Sequence, residues 1–386
     1  MKINGRTIGR ESLPYIIAEI GVNHDGSVDQ ALRLIDAAAA AGADAVKTQC
    51  FDPDRLLSIE ADLTSGQAAG GEHDVHTMLQ RLTLDHADLN RCVEHAHRAG
   101  LHAIVSIFSA ELVDEMSQLP WDAFKSASPD IINLPLLEAM WASGRPLLMS
   151  TGAADSEEIA AAFARFGDIA MHCVSAYPTP LDAAHLAGIR DLENLLSHLD
   201  QANIPPRRIE VGYSDHTHEL ITSALAVAAG ATVLEKHLTL DRTAHGPDHT
   251  TSLDPAGFRT YVHNAHEAWQ SLGTVAARGP DLQAPVRTLC RQSVAFRSDL
   301  PAGHRLEAAD LTTRRPGTGI APRFLSRLIG CTLRANVSGR HLLKASDLVD
   351  PPASVVTSAS ASPEQTIASS PHVAHLGESA PARSAG

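Results

Sequence analysis

The chain lacks several things that would have settled its class at once. Cysteine is sparse: Cys50, Cys92, Cys173, Cys290 and Cys331 are odd in number, scattered, and form no CxxC pair. That excludes a disulfide framework and suits buried or free thiols in a reducing cytoplasm. Positive charge is short as well. The 31 Lys and Arg face 45 Asp and Glu, a formal net charge of −14. A nucleic-acid partner would need a broad basic face, so none is expected, although a few lysines can still make a local pocket for a small anion. No run approaches the roughly 18 apolar residues of a membrane span, so no membrane partner is expected. The opening MKINGRTIGRESLPYIIAEIG has neither the apolar core nor the small-residue cleavage site of a signal peptide, which predicts a cytoplasmic protein. Finally, no Gly-rich phosphate loop follows the first strand-like segment. This weighs against an open, doubly wound sheet.

What is present is alternation. Hydrophobic content of 44% and charged content of 20% are ordinary for a globular chain. Short β-rich runs are YIIAEIGV (15–22), DAVKTQC (44–50), HAIVSIF (102–108), AFKSA (123–127), PLLMST (146–151), IAMHCVS (169–175), IEVGYSD (209–215) and TVLEKHLT (232–239). Helical patterns such as VDQALRLIDAAAAAG, LNRCVEHAHRAG, EEIAAAFARFG, HELITSALAVAAG and PAGFRTYVHNAHEAWQSL lie between or after them, several ending in the Gly that stops a helix. Near-continuous apolar strands followed by helices predict a covered parallel sheet. Eight such units predict an α/β fold, a closed (β/α)8 TIM barrel over residues 1–272. The stretch GTVAARGPDLQAP reads as part of a Gly/Pro linker (273–288). Residues 289–350 then read as a small, mostly β domain, and the Ser/Ala/Pro-rich 351–386 as a disordered tail.

In such a barrel the active site lies at the C-terminal ends of the strands, so the polar residues there can be named before any function is guessed. They are Glu19 with Asn23 and His24; Lys47 and Gln49; Lys125 and Ser128; Ser150 and Thr151; Ser175 and Tyr177; Ser214, Asp215 and His216; and Glu235, Lys236 and His237. Unpaired burial of a Lys or Glu costs several kcal/mol, so this concentration is too great for a plain core. Either histidine alone reads as a hydrogen-bonded structural residue. Two on adjacent strands, at the same rim, point to a shared metal. One lysine alone could be a salt-bridge partner, whereas two in one mouth point to a phosphate or carboxylate. His245 and His249 flank a Gly-Pro and read as surface loop, and Glu60, Asp62 and Glu72 as a solvated loop.

Eight motifs in order, IAEIGVNHDGS, AVKTQ, FKSASPDI, PLLMSTGA, HCVSAYPTP, GYSDHT, LEKHLTLDRTAHGPDHTTSLD and RRPGTGI, make the chain resemble the sialic acid synthases. These enzymes condense phosphoenolpyruvate with an N-acyl aminosugar. The resemblance covers about residues 13–350 and makes the last domain similar to the family's antifreeze-like (SAF) module. It implies His216 and His237 as ligands of a divalent cation, Mn²⁺ or Mg²⁺. It implies Lys47, Lys125, Ser128, Ser150 and Ser214 as the phosphoenolpyruvate cradle and Glu19 as the acid/base group. Gln49, Tyr177 and Asp248 would position the sugar. Arg315 would be lent to its N-acyl group across a domain-swapped homodimer. The chain departs from the usual family pattern with Ser106 for Thr, Asp130 for Glu and Ser175 for Asn. These changes are expected mostly on the acceptor side, which leaves open an aldose other than N-acetylmannosamine, such as a bacillosamine-derived sugar or an aldose of secondary metabolism. A metal aldolase or sugar isomerase, or a non-catalytic sugar-binding protein, are the readings from other classes.

Overall fold

Eight short strands, almost wholly buried, carry the first part of the chain: β1 (Tyr15–Glu19), β2 (Ala45–Cys50), β3 (His102–Ile107), β4 (Ala123–Ser126), β5 (Leu147–Ser150), β6 (Ile169–Cys173), β7 (Glu210–Asp215) and β8 (Val233–His237). The computed structural model describes residues 1–63, 73–200, 208–273 and 283–355. Each strand pairs in parallel with its neighbours in sequence, and β8 pairs back onto β1, placing His237 beside Glu19 and closing the barrel. All eight strands expected from the sequence are present, slightly shortened.

The principal covering helices are α1 (Val28–Ala41), α2 (His86–Arg98), α3 (Leu134–Ala142), α4 (Ser156–Phe163), α5 (Gly188–Asp200), α6 (Thr222–Ala229) and α7 (Pro255–Leu272). Their ends follow local chemistry. Ser27, Asp85, Asp155 and Asp254 cap the starts of α1, α2, α4 and α7 by accepting from free backbone N–H groups. Gly42 ends α1 at φ 89°, a conformation that costs glycine nothing.

Period-two alternation decides what each strand residue does. Outward residues such as Ile16, Val46, Val105, Phe124, Met149 and Leu234 pack against Leu34, Val93, Leu137, Phe163 and Phe258 of the helices. Full burial of each such side chain contributes about 1.5–3 kcal/mol. Inward residues in the lower half are also apolar: Tyr15, Ile17, Ile104, Leu148, Ile169, Met171 and Val233. A small antiparallel hairpin, Lys2–Ile3 with Arg6–Thr7, adds Ile3 and Ile8 to this cluster. In the upper half the inward positions turn polar, and there the site lies.

The chain divides into two compact units, Met1–Thr274 and Val275–Gly386. In the second, β9 (Ser293–Phe296) pairs antiparallel with β10 (Leu311–Arg314) over a core of Val294, Phe296, Leu306, Leu328, Leu333 and Leu343. Of the expected linker, 274–282 lies outside the described residues, and Ala284–Cys290 is a helix. Most of the expected tail, 356–386, lies outside them too, while Val355 is buried in the second core.

Candidate active site

The inward positions at the C-terminal ends of the strands form a chamber of alternating charge. Lys47, on β2, is ion-paired to Glu19 of β1 and donates to Ser106 Oγ of β3 at 2.9 Å. Lys125, on β4, donates to Ser150 Oγ of β5 at 2.8 Å. Between them Glu235 of β8 places Oε1 at 3.5 Å from Lys125 Nζ and 3.9 Å from Lys47 Nζ, and accepts from Ser214 Oγ at 3.0 Å. Gln49 Nε2 donates to Glu19 Oε1 at 3.3 Å and to Gly21 O at 3.0 Å.

Burial and neighbouring charge compete at each group. Burial pushes the Glu19 carboxyl up to about 7, against the pull of Lys47. Burial also works against the Lys47 ammonium, but Glu19 and Glu235 hold it above the ordinary lysine value. Lys125, which has Glu235 as its one ion-pair partner among the described residues, is pushed down by burial. Burial would raise Glu235, yet Lys125 and Lys47 keep it below the usual carboxylate range. The chamber is therefore an array of closely opposed charges in which the Glu19 carboxyl is the one pushed up toward neutral pH.

Beside it stand the two imidazoles. His216 and His237 have ring centres 5.6 Å apart, and Tyr177, itself 46% exposed, lies 4.1 Å from the His216 ring. The Nδ1 of His216 contacts Val174 O at 3.0 Å. A carbonyl can only accept, so Nδ1 carries the proton, and against the effect of burial Cys173 and the Val174 carbonyl hold the ring above its ordinary value. Burial, reinforced by His216 and Lys47, drives His237 well below its ordinary value and keeps that ring neutral. Its Nδ1 is buried without a hydrogen-bond partner, 3.6 Å from Asp248 Oδ2. Two rings at this spacing, one of them with an orphaned nitrogen beside a carboxylate, fit a divalent cation, whose bonds to nitrogen run about 2.0–2.1 Å for zinc. Among the described residues no group of three or more His, Cys, Asp or Glu is placed to hold a metal ion.

The expected site residues of the barrel thus fall into neighbouring sets. Glu19, Lys47, Gln49, Ser106, Lys125, Ser150 and Ser214 line the chamber with direct contacts. Ser106, one of the departures from the family pattern, accepts from Lys47. Ser128 donates to Cys173 Sγ at 3.5 Å, and Cys173 Sγ lies 3.7 Å from His216 Nδ1. Ser175 is exposed, just beyond β6. Gly152 fits against this group: a Cβ there would stand 2.8 Å from Ser128 Oγ and also clash with Ser175. Arg315 is exposed, just after β10 of the second unit.

Some sequence readings need correction. Asp215 and Lys236 belong to the helix-facing side, not to the chamber. They pair at 3.1 Å, fully buried, with Thr217, Thr222 and Tyr213 also on Asp215 and the Tyr261 ring under Lys236. Period two puts them out of phase with Ser214, Glu235 and His237. His249 is not surface loop but 1% exposed, held between Thr239 Oγ1 at 2.7 Å and Asp25 Oδ1 at 3.1 Å. Glu60 and Asp62 are exposed, whereas Glu72 lies outside the described residues. Two chamber residues were under-read. Glu235 shares the phase of His237, a signal present in LEKHL. Cys173 read only as one of the buried or free thiols.

A closed parallel barrel with a lysine- and histidine-lined chamber at the C-terminal end of its strands, followed by a small β unit, has the architecture of a barrel enzyme. A match to the NeuB family covers residues 34–277, and one to the SAF domain covers 291–349. The chain belongs to the NeuB family. It is 34% identical over 350 residues to the N,N'-diacetyllegionaminic acid synthase of Legionella pneumophila, spanning 87% of this chain and 95% of that one. It is 30% identical over 339 residues to the N-acetylneuraminate-9-phosphate synthase of Mus musculus, 84% of this chain and 90% of that one. The crystal structure of N-acetylneuraminic acid synthetase from Leptospira borgpetersenii, in complex with citrate, is 27% identical with a TM-score of 0.65, over 74% of this chain and 94% of that one. The chain is an enzyme, a synthase of the transferase type.

Proposed function

We propose that the protein condenses phosphoenolpyruvate with the open-chain form of an aldose, an N-acyl aminosugar such as N-acetylmannosamine, to give a nonulosonic acid and inorganic phosphate. The observation that carries this reading is the chamber itself: two buried lysines with hydroxyl partners, beside a pair of closely spaced imidazoles. Carbon 3 of phosphoenolpyruvate bonds to the aldehyde carbon, whose oxygen takes the electron pair and then a proton. Water adds at carbon 2, and the bond from carbon 2 to the phosphate oxygen breaks, leaving a 2-keto acid.

Lys47, Lys125, Ser128, Ser150 and Ser214 hold and orient the anionic reactant, with Ser106 fixing Lys47. Glu19, whose carboxyl is pushed up to about 7 by burial, gives or takes the proton at the reacting carbons. Gln49, Ser175, Tyr177 and Asp248 position the acceptor. His216 and His237 would hold a divalent cation, Mn²⁺ or Mg²⁺, which when bound supplies a Lewis acid for the aldehyde oxygen. Arg315 reaches the sugar's N-acyl group from the second copy of a domain-swapped homodimer. This last role rests on the family resemblance.

A different acceptor is the second reading, supported by the departure at Ser175 and by relatives named for more than one nonulosonic acid. Phosphate release from phosphoenolpyruvate with Mn²⁺ and a panel of aldoses tests both. Release is expected only with an acceptor present, and to stop with EDTA. Silence with every N-acyl aminosugar and simple aldose would sink the proposal, and turnover without phosphoenolpyruvate would favour an aldolase.

A further inference from the structure

The chamber already contains a carboxylate where an incoming anion is expected. Glu235, 3% exposed, directs one oxygen at three donors: Ser214 Oγ at 3.0 Å, Lys125 Nζ at 3.5 Å and Lys47 Nζ at 3.9 Å. Lys47 has a second carboxylate in Glu19, but for Lys125 no other lies within ion-pair distance among the described residues. The lysine distances are long, since well-formed ammonium–carboxylate hydrogen bonds are about 2.7–2.9 Å. The second oxygen, Oε2, is buried without any hydrogen-bond partner. Glu235 is thus spread thinly over the donors that a phosphate or carboxylate would take in full, with half of its own capacity unmet.

We infer that Glu235 is a tethered competitor of the reactant anion, a positioning residue that occupies Lys47, Lys125 and Ser214 between turnovers and weakens their hold on the phosphate left behind. The inference rests on the reading of the lysines as an anion berth. Two ammonium groups in a buried site attract phosphate strongly, because Coulomb forces are little screened there. A negative charge fixed within 4 Å of both sets an upper limit on that attraction and so lets product go.

The test is phosphate affinity, not activity alone. Inorganic phosphate is titrated calorimetrically into the full chain, without sugar, for the wild type and for Glu235→Gln, Glu235→Asp and Lys125→Ala. Glu235→Gln is expected to bind phosphate about tenfold tighter or more. Glu235→Asp, which draws the charge back by one methylene, should fall between. Lys125→Ala should bind at least about tenfold weaker. In turnover, Glu235→Gln should be inhibited by phosphate at correspondingly lower concentration. A residue that merely holds the chamber together would loosen phosphate when altered. Unchanged or weaker binding by Glu235→Gln, with Lys125→Ala still weakened, overturns the competitor role and leaves the berth. Unchanged binding by Lys125→Ala removes the berth and this inference with it. If Glu235→Gln fails to fold, Glu235→Asp decides, and no tightening there overturns the inference.

Discussion

At position 19 a carboxyl group is fully buried beside an ammonium group, and the two conditions pull its proton in opposite directions. Burial wins, which places the group near the pH at which acid/base exchange is most effective. Glu19→Gln is therefore expected to lower kcat by about 10²–10⁴ and to erase a limb of the pH–rate profile near neutrality. A variant that keeps that limb would reassign the proton. His24 makes a separate prediction about stability. It is 1% exposed, and burial lowers it from 6.5 to about 4. Between those values the unfolded chain binds the proton that the folded one refuses, so stability is complete above pH 6.5 and falls as the pH drops toward 4. The loss amounts to about 3 kcal/mol at about 1.4 kcal/mol per pH unit, and urea unfolding of His24→Gln should show a shallower acid slope than the wild type. Glu19, the lysines and the histidine pair were legible as strand-end residues because period two and the barrel's polarity rule select them. Cys173 was not, since a buried thiol carries no sign in sequence of which ring lies against it.

The strands were readable from their apolar runs, but their facing needed the phase of each alternation. Asp215 and Lys236 show the cost of ignoring it: each sits one residue from a chamber residue, yet the pair faces the helices. Asp215 accepts from Thr217, Thr222 and Tyr213 as well as Lys236, so its removal strands a buried ammonium. Asp215→Ala is expected to destabilise the fold by about 3–5 kcal/mol in urea titration, and a change below 1 kcal/mol would mean that the pair is solvated. The loop after β8 was misread for a different reason. His249 is anchored by Asp25, 224 residues away, a distance that no local pattern reports. Asn23 Nδ2 meets Ser252 Oγ at 2.7 Å, and Ser252 in turn bonds Asp248 O at 2.6 Å, so the loop carrying Asp248 is fastened to the one after β1.

Across the whole chain, each unit has its own apolar core. The first unit should consequently fold without the second. A chain ending at residue 288 is expected to keep a cooperative unfolding transition and to lose turnover, as the lent arginine requires. An active truncated monomer would refute that role for Arg315. No helix among the described residues is long and apolar enough to cross a membrane.

The little hairpin at the start of the chain bears on access. By adding Ile3 and Ile8 to the apolar filling below the lysines, it packs the end of the barrel opposite the polar rim with side chains. The eight residues that open the sequence thus leave the lysines to be reached from the rim, by way of the loops that follow the strands.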